Sequence, residues 1–65
     1  MILNIGNRVR KRRIAKGWTM MDLAYEAEMD YRQIGRIERG EVNFTIGTLL
    51  KICKVFNIKL KDLVK

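Results

Sequence analysis

Three arginines along one short segment are the residues of this chain best suited to make directional contacts with a ligand. Arg32, Arg36 and Arg39 recur at intervals of four and three, which places them on one side of a helix. Ile34 and Ile37 fall on the opposite side, where they would pack against neighbouring elements. A guanidinium group presents its donors as a planar fork that fits paired acceptors, such as O6 and N7 of guanine. The segment therefore predicts a helix with a buried apolar face and a cationic outer face.

Two start signals indicate that this helix follows directly after another one. Thr19 is followed three residues later by Asp22, and Asp30 by Gln33, which is the spacing of a capping box in both cases. In a capping box, side-chain oxygens accept hydrogen bonds from backbone N–H groups that have no partner in the first helical turn. The sequence therefore predicts two consecutive helices, over about 20–27 and 31–39, joined by a short turn.

The remainder of the chain is also predicted to be helical, with further helices over about 5–16, 46–56 and 60–64. Gly17, Gly40 and Asn57 stand where three of the helices would end. The sequence has no proline, linker or repeat. We therefore expect one all-α domain over residues 1–65, with five helices and no strand.

Composition argues against several functional classes. The 65 residues include no histidine and one cysteine, Cys53, so ordinary zinc sites and nucleophiles activated by histidine are excluded. We accordingly expect no enzyme, no metal and no cofactor. The apolar stretches fall far short of the roughly 20 residues that span a bilayer, and no secretory signal is visible. A cytoplasmic protein without membrane association is the expectation.

The net charge of +7 is distributed unevenly along the chain. Residues 1–17 carry only basic charged side chains, residues 18–30 only acidic ones, and basic residues return from Arg32 onwards. Such basic segments favour binding to a polyanion through counterion release, whatever its sequence. The alternative is that the excess charge merely keeps a small protein soluble.

Several separated motifs, in this order and spacing, together resemble a known family. They are Gly6 with Arg8 and Val9, Arg13 with Lys16-Gly17, Thr19-x-x-Asp-Leu-Ala24, Ile34-x-Arg-Ile-Glu-Arg-Gly40, Thr48-Leu49-x-x-Ile-Cys-Lys-Val-Phe56 and Ile58-x-x-x-Asp-Leu63. This pattern resembles the phage-repressor and Cro-like helix-turn-helix domains, also called the Xre family. The resemblance implies a five-helix, lambda-repressor-like fold and sequence-specific binding to double-stranded operator DNA, with an inverted repeat read by a symmetric homodimer. It implies a transcriptional regulator, expected to be a repressor, of a prokaryotic cell or a phage.

Residue by residue, the resemblance implies that the third helix enters the major groove. The expected base contacts come from its exposed positions, Tyr31, Arg32, Gln33 and Arg36. Tyr31 has two open roles, contact with a thymine methyl or a hydrogen bond to phosphate. Gln33 can read adenine or close the capping box with Asp30. For the arginines, the alternative is an ordinary solvated helix face.

The expected phosphate contacts lie on both sides of this helix, at Thr19, Met20, Arg39, Asn43 and Arg10. The resemblance further implies a structural ion pair between Arg13 and Glu38, with a phosphate contact as the secondary role of Arg13. Four positions depart from the family pattern. Met20 stands where glutamine is frequent, and Glu28 stands where the turn usually has glycine. Gly35 lies within a helix, and Arg12 occupies a position of the first helix that is often apolar. For Gly35 we favour an exposed position under little constraint over a close approach to DNA.

Apolar residues near the C-terminus exceed what a single small core needs. Leu50, Val55, Ile58 and Val64 are therefore candidates for a dimer interface, the alternative being that they only complete the core. Two other functions compete with operator binding. One is an antitoxin-type regulator that also binds a protein partner, and the other is a protein-interaction module with little affinity for DNA. Met20, Glu28 and the acidic second helix favour the latter.

Overall fold

The computed structural model describes the backbone of residues 5–41 and 45–64, and the side chains of all of these except Val64. Within these ranges the chain forms five helices and no strand: α1 Ile5–Ala15, α2 Met20–Ala27, α3 Tyr31–Glu38, α4 Ile46–Phe56 and α5 Lys61–Val64. The predicted all-α fold is confirmed. The predicted bounds of α2 and α4 agree with the structure, and those of α1, α3 and α5 differ by one residue at one end.

Three helices, α2, α3 and α4, are preceded by a polar N-cap residue in extended conformation. Thr19 accepts from the backbone N–H of Asp22, whose carboxylate accepts from the N–H of Thr19, so the capping box of α2 is complete. Thr45 caps α4 by accepting from the N–H of Thr48. The predicted capping box between Asp30 and Gln33 was wrong. Asp30 does cap α3, but through the N–H of Arg32, because its carboxylate is drawn to the guanidinium of that residue.

Four helix ends share one backbone arrangement, in which the chain turns through a residue with positive φ. These residues are Gly17, Glu28, Gly40 and Asn57. In each case the next residue donates its N–H to a carbonyl five positions earlier, as when Met29 bonds to Ala24 at 2.8 Å. The turn between α2 and α3 thus keeps the left-handed geometry although Glu28 replaces glycine there, with φ 56°. For a residue with a side chain this conformation costs about 1–2 kcal/mol.

The core is formed by the inner faces of all five helices. Its fully buried side chains are Val9, Leu23, Ile34, Ile37, Ile52 and Leu63. α3 packs against α1 and α2, α4 packs against α2, and α5 packs against α1. Trp18 stacks on Phe56 with ring centroids 5.9 Å apart and extends the core beside the end of α1. This packing fixes α3 against α1 and α2 and leaves the opposite side of α3 exposed to solvent.

Gly6 sets the distance between α1 and α3. A Cβ atom at this position would overlap the carbonyl oxygen of Ile37 and lie 2.7 Å from that of Glu38. Since these are backbone atoms of the neighbouring helix, a side chain would push α1 and α3 apart. The first turn of α1 therefore lies directly on the last turn of α3.

Candidate nucleic-acid interface

The outer side of α3 is a cationic surface on a well-packed helix. Ile34 and Ile37 are completely buried, whereas Tyr31, Arg32, Gln33 and Arg36 are exposed. Arg32 and Arg36 are four residues apart and lie in one row, and Tyr31, Gly35 and Arg39 form the adjacent row. The four predicted base-contacting residues are therefore all exposed on the described helix, with Arg32 and Arg36 at the centre of its outer side. Whether they contact bases remains a prediction.

Two arginines of this surface are held by carboxylates of their own segment. Asp30 accepts from Nε and Nη2 of Arg32 at 3.4 and 3.3 Å, and Glu41 accepts from Nε and Nη2 of Arg39 at 2.6 and 3.3 Å. Hydrogen bonds from the backbone N–H and guanidinium of Arg32 hold the pKa of Asp30 below its usual range. The bond from Arg39 likewise lowers the pKa of Glu41. Both carboxylates are thus charged partners that orient the two guanidinium groups.

Arg36 differs from these two arginines. Among the described residues it forms no salt bridge, although its charge contributes to the lowered pKa of Glu41. Gln33 is exposed and, within the described part of the chain, makes no side-chain hydrogen bond. Because Gln33 does not close a capping box, its amide is available for a ligand. By helical spacing Arg36 lies among the arginines of this face, and Gln33 stands at its edge.

A concave notch of about 430 Å³ lies beside these arginines, at the crossing of α2 and α3. We define the α3 notch by its lining residues, which are Met20, Tyr31, Arg32, Gly35, Arg36, Arg39 and Glu41. The expectation that Gly35 is an exposed, unconstrained position was wrong. It is buried, because Met20 and Arg39 fold over it, with Sδ of Met20 only 3.3 Å and Nη1 of Arg39 only 3.1 Å from where a Cβ would stand.

The N-terminus of α2 borders the same surface. The first turn of a helix leaves backbone N–H groups without helical partners, and Thr19 occupies only that of Asp22. The amides of Met20 and Met21 therefore point outwards beside the notch. Of the other predicted phosphate contacts, Arg39 lies at the notch, Arg10 is exposed on α1, and Asn43 lies outside the described residues. None of these assignments is tested by the geometry.

Arg13 connects α1, α3 and the segment before α2. Its Nε and Nη2 donate to the two carboxylate oxygens of Glu38 at 2.8 and 3.0 Å, and its Nη1 donates to the carbonyl of Trp18 at 2.8 Å. The side chains of Arg13 and Glu38 are only 10% and 4% exposed. The hydrogen bond to Glu38 raises the pKa of Arg13 further, so its charge is permanent. This ion pair anchors the C-terminal end of α3.

The candidate dimer residues do not behave alike. Val55 and Ile58 are partly buried and pack on the core, whereas Leu50 is half exposed. The side chain of Val64 lies outside the described residues. Ile46, which precedes Leu50 by one helical turn, is 59% exposed and was missed in the sequence. Its position four residues before Leu50 is the signal that would have found it.

Two other residues of the interface were also missed. Glu41 was not predicted as a functional residue, yet its carboxylate holds Arg39. Its position two residues after an arginine is its only signal in the sequence. Gly6 was noted only within a motif, and nothing in its sequence surroundings reveals the contact with α3.

The fold and this surface define a class: a helix-turn-helix protein, in which α2 and α3 form the motif. The Helix-turn-helix family HTH_3 matches residues 9–63, and the chain belongs to this family. The described part of the chain contains no helix long and apolar enough to cross a membrane.

Comparison with solved structures gave several similar regulators. The restriction-modification controller protein C.AhdI from Aeromonas hydrophila is 31% identical, with a TM-score of 0.88 over 94% of this chain and 92% of that one. The controller protein C.Esp1396I is 36% identical, with a TM-score of 0.80 over 86% of this chain and 73% of that one. SinR, a master regulator for biofilm formation solved in complex with DNA, is 29% identical, with a TM-score of 0.86 over 94% of this chain and 98% of that one.

Comparison with curated proteins gave no match. The family and the solved structures nevertheless place the chain among DNA-binding transcription regulators. Proteins of this class are generally not enzymes.

Proposed function

We propose that this protein is a sequence-specific transcription regulator that represses by occupying an operator, with α3 in the major groove of double-stranded DNA. The observation that carries the proposal is the row formed by Arg32 and Arg36, which faces outwards on a helix whose inner face is fully buried. A guanidinium fork that bonds O6 and N7 of guanine is the commonest specific contact in the major groove. SinR, similar over nearly its whole length, was solved in complex with DNA.

Backbone contacts would fix the position of α3 on the duplex. The outward amides at the start of α2 suit a phosphate, because the positive end of the helix dipole adds to their hydrogen bonds. Thr19 and Met20 stand at this end, and Arg39 lies at the C-terminal end of α3, beside Met20 in the α3 notch. Arg10 and Asn43 stay candidates for outer phosphates, and the buried pair of Arg13 and Glu38 keeps its structural role.

A symmetric dimer would supply the affinity that one domain lacks. A single small module buries about 600–1,000 Å² on DNA, too little for tight specific binding. Two copies related by a two-fold axis would read half-sites about 34 Å apart, or a multiple of that distance. Leu50 offers an exposed apolar surface for pairing, together with Ile46 on the same face of α4. Val55, Ile58 and Val64 complete the candidate surface.

One observation favours a second function, the binding of a protein partner. Met21 and Tyr25 on α2 are 65% and 81% exposed and lie among acidic side chains. Aromatic residues and methionine are enriched in protein interfaces relative to the rest of the surface. An antitoxin-type regulator would combine this surface with DNA binding, whereas a pure interaction module would not need the arginine row of α3.

Selection from a random duplex library tests the proposal. The wild-type protein should enrich an inverted repeat, and Arg32→Ala and Arg36→Ala should each relax the preference at one position of each half-site, at a cost of about 1–3 kcal/mol. Lys51→Ala, on an exposed position of α4, is the matched control and should leave the selected sequence unchanged.

The alternative gives a different result. If no sequence is enriched, and the arginine substitutions weaken binding equally on all duplexes, the arginine row acts only through its charge. The proposal would then be wrong, and the exposed surface of α2 would become the first candidate for binding a protein partner.

A further inference from the structure

The outer face of α1 is strongly basic. By helical spacing Lys11 lies at its centre and Arg8 and Arg10 on its flanks, and all three side chains are exposed. Ile14 follows Lys11 by about one helical turn on the same face and is 52% exposed. Among the described residues, none of these three cations forms a salt bridge. This face therefore presents an apolar side chain next to positive charge that no carboxylate of the described chain pairs with.

The outer face of α2 has the opposite charge. Asp22 and Glu26 form one row, four residues apart, and Met21 and Tyr25 form the adjacent row. All four are exposed, and Glu26 has no salt-bridge partner within the described ranges. A hollow of about 400 Å³ lies beside the apolar row and extends to the start of α3. The face thus combines an apolar recess with a row of carboxylates.

The two faces complement each other, and both belong to this chain. Residues 1–17 contain only basic charged side chains, and residues 18–30 only acidic ones. Both α1 and α2 pack on α3 through their inner faces, so their outer faces point away from the core and can meet only between two copies. We propose that α1 of one copy docks on α2 of a neighbouring copy, with Ile14 in the hollow beside Tyr25 and Lys11 against Glu26. The occupant of the α2 surface is then a second copy of the chain.

Two features confine this contact to copies that are bound to the same DNA. The chain carries a net charge of +7, so free copies repel each other, whereas the phosphates of a duplex neutralise part of this charge. The contact is also short, because α2 has 8 residues and is about 12 Å long. Stable interfaces bury about 1,200 Å² or more in total. Neighbouring sites on one duplex supply the high effective concentration that such a small contact needs.

The inference rests on the proposed function and deepens it. The candidate dimer surface lies on α4 and near the C-terminus, so the outer faces of α1 and α2 stay available in an operator-bound dimer. A contact between dimers makes binding to neighbouring operators cooperative. It also names the protein that covers Met21 and Tyr25, which are otherwise the surface for a different partner.

A duplex that holds two copies of the selected sequence tests this contact. The spacing between the copies is varied one base pair at a time over two helical turns, about 21 base pairs, so that every relative rotation is sampled. Gel-shift titration compares the affinity for the second site with the affinity for a duplex that holds a single copy. At the favourable spacing the second site should bind about tenfold more tightly, near the lower limit of typical couplings between two sites.

Charge reversal connects this gain to the two faces. Lys11→Glu and Glu26→Lys each place like charges opposite one another, and each should abolish the gain. The double variant exchanges the two charges, so the net charge stays +7 and an opposite pair is restored, and the gain should return. Lys51→Glu, on an exposed position of α4, is the matched control and should keep the gain. Because each variant is compared with its own single-site affinity, general effects of charge on DNA binding cancel.

The possible outcomes separate this inference from the proposed function. If selection enriches no sequence, both are overturned. If a sequence is enriched but the second site gains nothing at any spacing, the contact is overturned and operator binding stands. The contact is also overturned if the gain persists in Lys11→Glu and Glu26→Lys, or if the double variant fails to recover it. Circular dichroism melting of each variant establishes that the proteins compared are folded.

Discussion

The ion pair between Arg13 and Glu38 should be one of the largest single contributions to stability in this protein. Glu38→Gln removes the negative charge with little change in shape. It leaves a guanidinium that is 10% exposed with neutral acceptors only, the Trp18 carbonyl and the new amide oxygen, and turns an NH2 donor towards it. Breaking a buried pair from one side costs about 3–5 kcal/mol. Small domains have total stabilities of about 5–15 kcal/mol, and a chain of this size belongs near the lower limit. The variant should therefore be only marginally folded.

Thermal unfolding followed by far-UV circular dichroism measures the effect. A loss of 3 kcal/mol in a domain of this size should lower Tm by about 12 °C or more. Glu41→Gln is the matched control, since it makes the same chemical change in the exposed pair with Arg39 and should leave Tm nearly unchanged. The double variant Arg13→Met with Glu38→Leu should recover much of the loss, because no charge is left buried. Equal Tm shifts in Glu38→Gln and Glu41→Gln would refute the reasoning.

Three further predictions concern the backbone and the cap of α3. Glu28→Gly should raise the free energy of unfolding by about 1 kcal/mol, because Glu28 has φ 56°, a conformation that glycine adopts without strain. The control Glu26→Gly lies inside α2 and should lower the free energy of unfolding by a similar amount, measured by the same thermal unfolding. Gly6→Ala should cost about 1–3 kcal/mol, since its Cβ meets backbone atoms of α3, and an unchanged urea midpoint would contradict this contact. Folding lowers the pKa of Asp30, so the ionised carboxylate stabilises the folded protein. This contribution is complete above the pKa of Asp30 in the unfolded state and is lost as the pH falls through its pKa in the folded state. The difference in Tm between wild type and Asp30→Asn should therefore be constant from pH 7 to 5. It should begin to shrink near the unfolded pKa of about 4 and disappear only below the lower pKa of the folded state, and a difference that persists in stronger acid would be contrary to this pairing.

Local signals in the sequence predicted most of the helices. The starts of α2 and α4 follow from Thr19 and Thr45, because each cap is a hydrogen bond between residues three apart. The same kind of signal failed at Asp30. Its carboxylate had two possible partners within three residues, and only the folded side chains show that it bonds to Arg32. Gly17 and Gly40 located the ends of α1 and α3 only to within one residue, since the helices end at Ala15 and Glu38, and the start of α5 at Lys61 was also misplaced by one residue.

Features that depend on two helices at once could not be read from the sequence. Gly35 has the pattern of an exposed helical position, and it is buried only because Met20 of α2 crosses over it and Arg39 folds back. Gly6 likewise contacts α3 through a packing distance that no spacing along the chain encodes. The arginine row could be predicted, because Arg32 and Arg36 belong to a single helix. The α3 notch could not be predicted, because it lies where two helices, α2 and α3, cross.

The central claim is that α3 reads guanine in the major groove. The most direct test is to measure the affinity of the protein for a duplex that is altered at a single atom. In the selected duplex, each guanine in turn is replaced by 7-deazaguanine, which lacks the N7 acceptor and keeps its base pairing. At the guanines contacted by Arg32 and Arg36, the affinity should fall about tenfold or more, within the 1–3 kcal/mol expected for such a contact. It should be unchanged at guanines outside the half-sites. Unchanged affinity at every guanine of both half-sites would contradict the account.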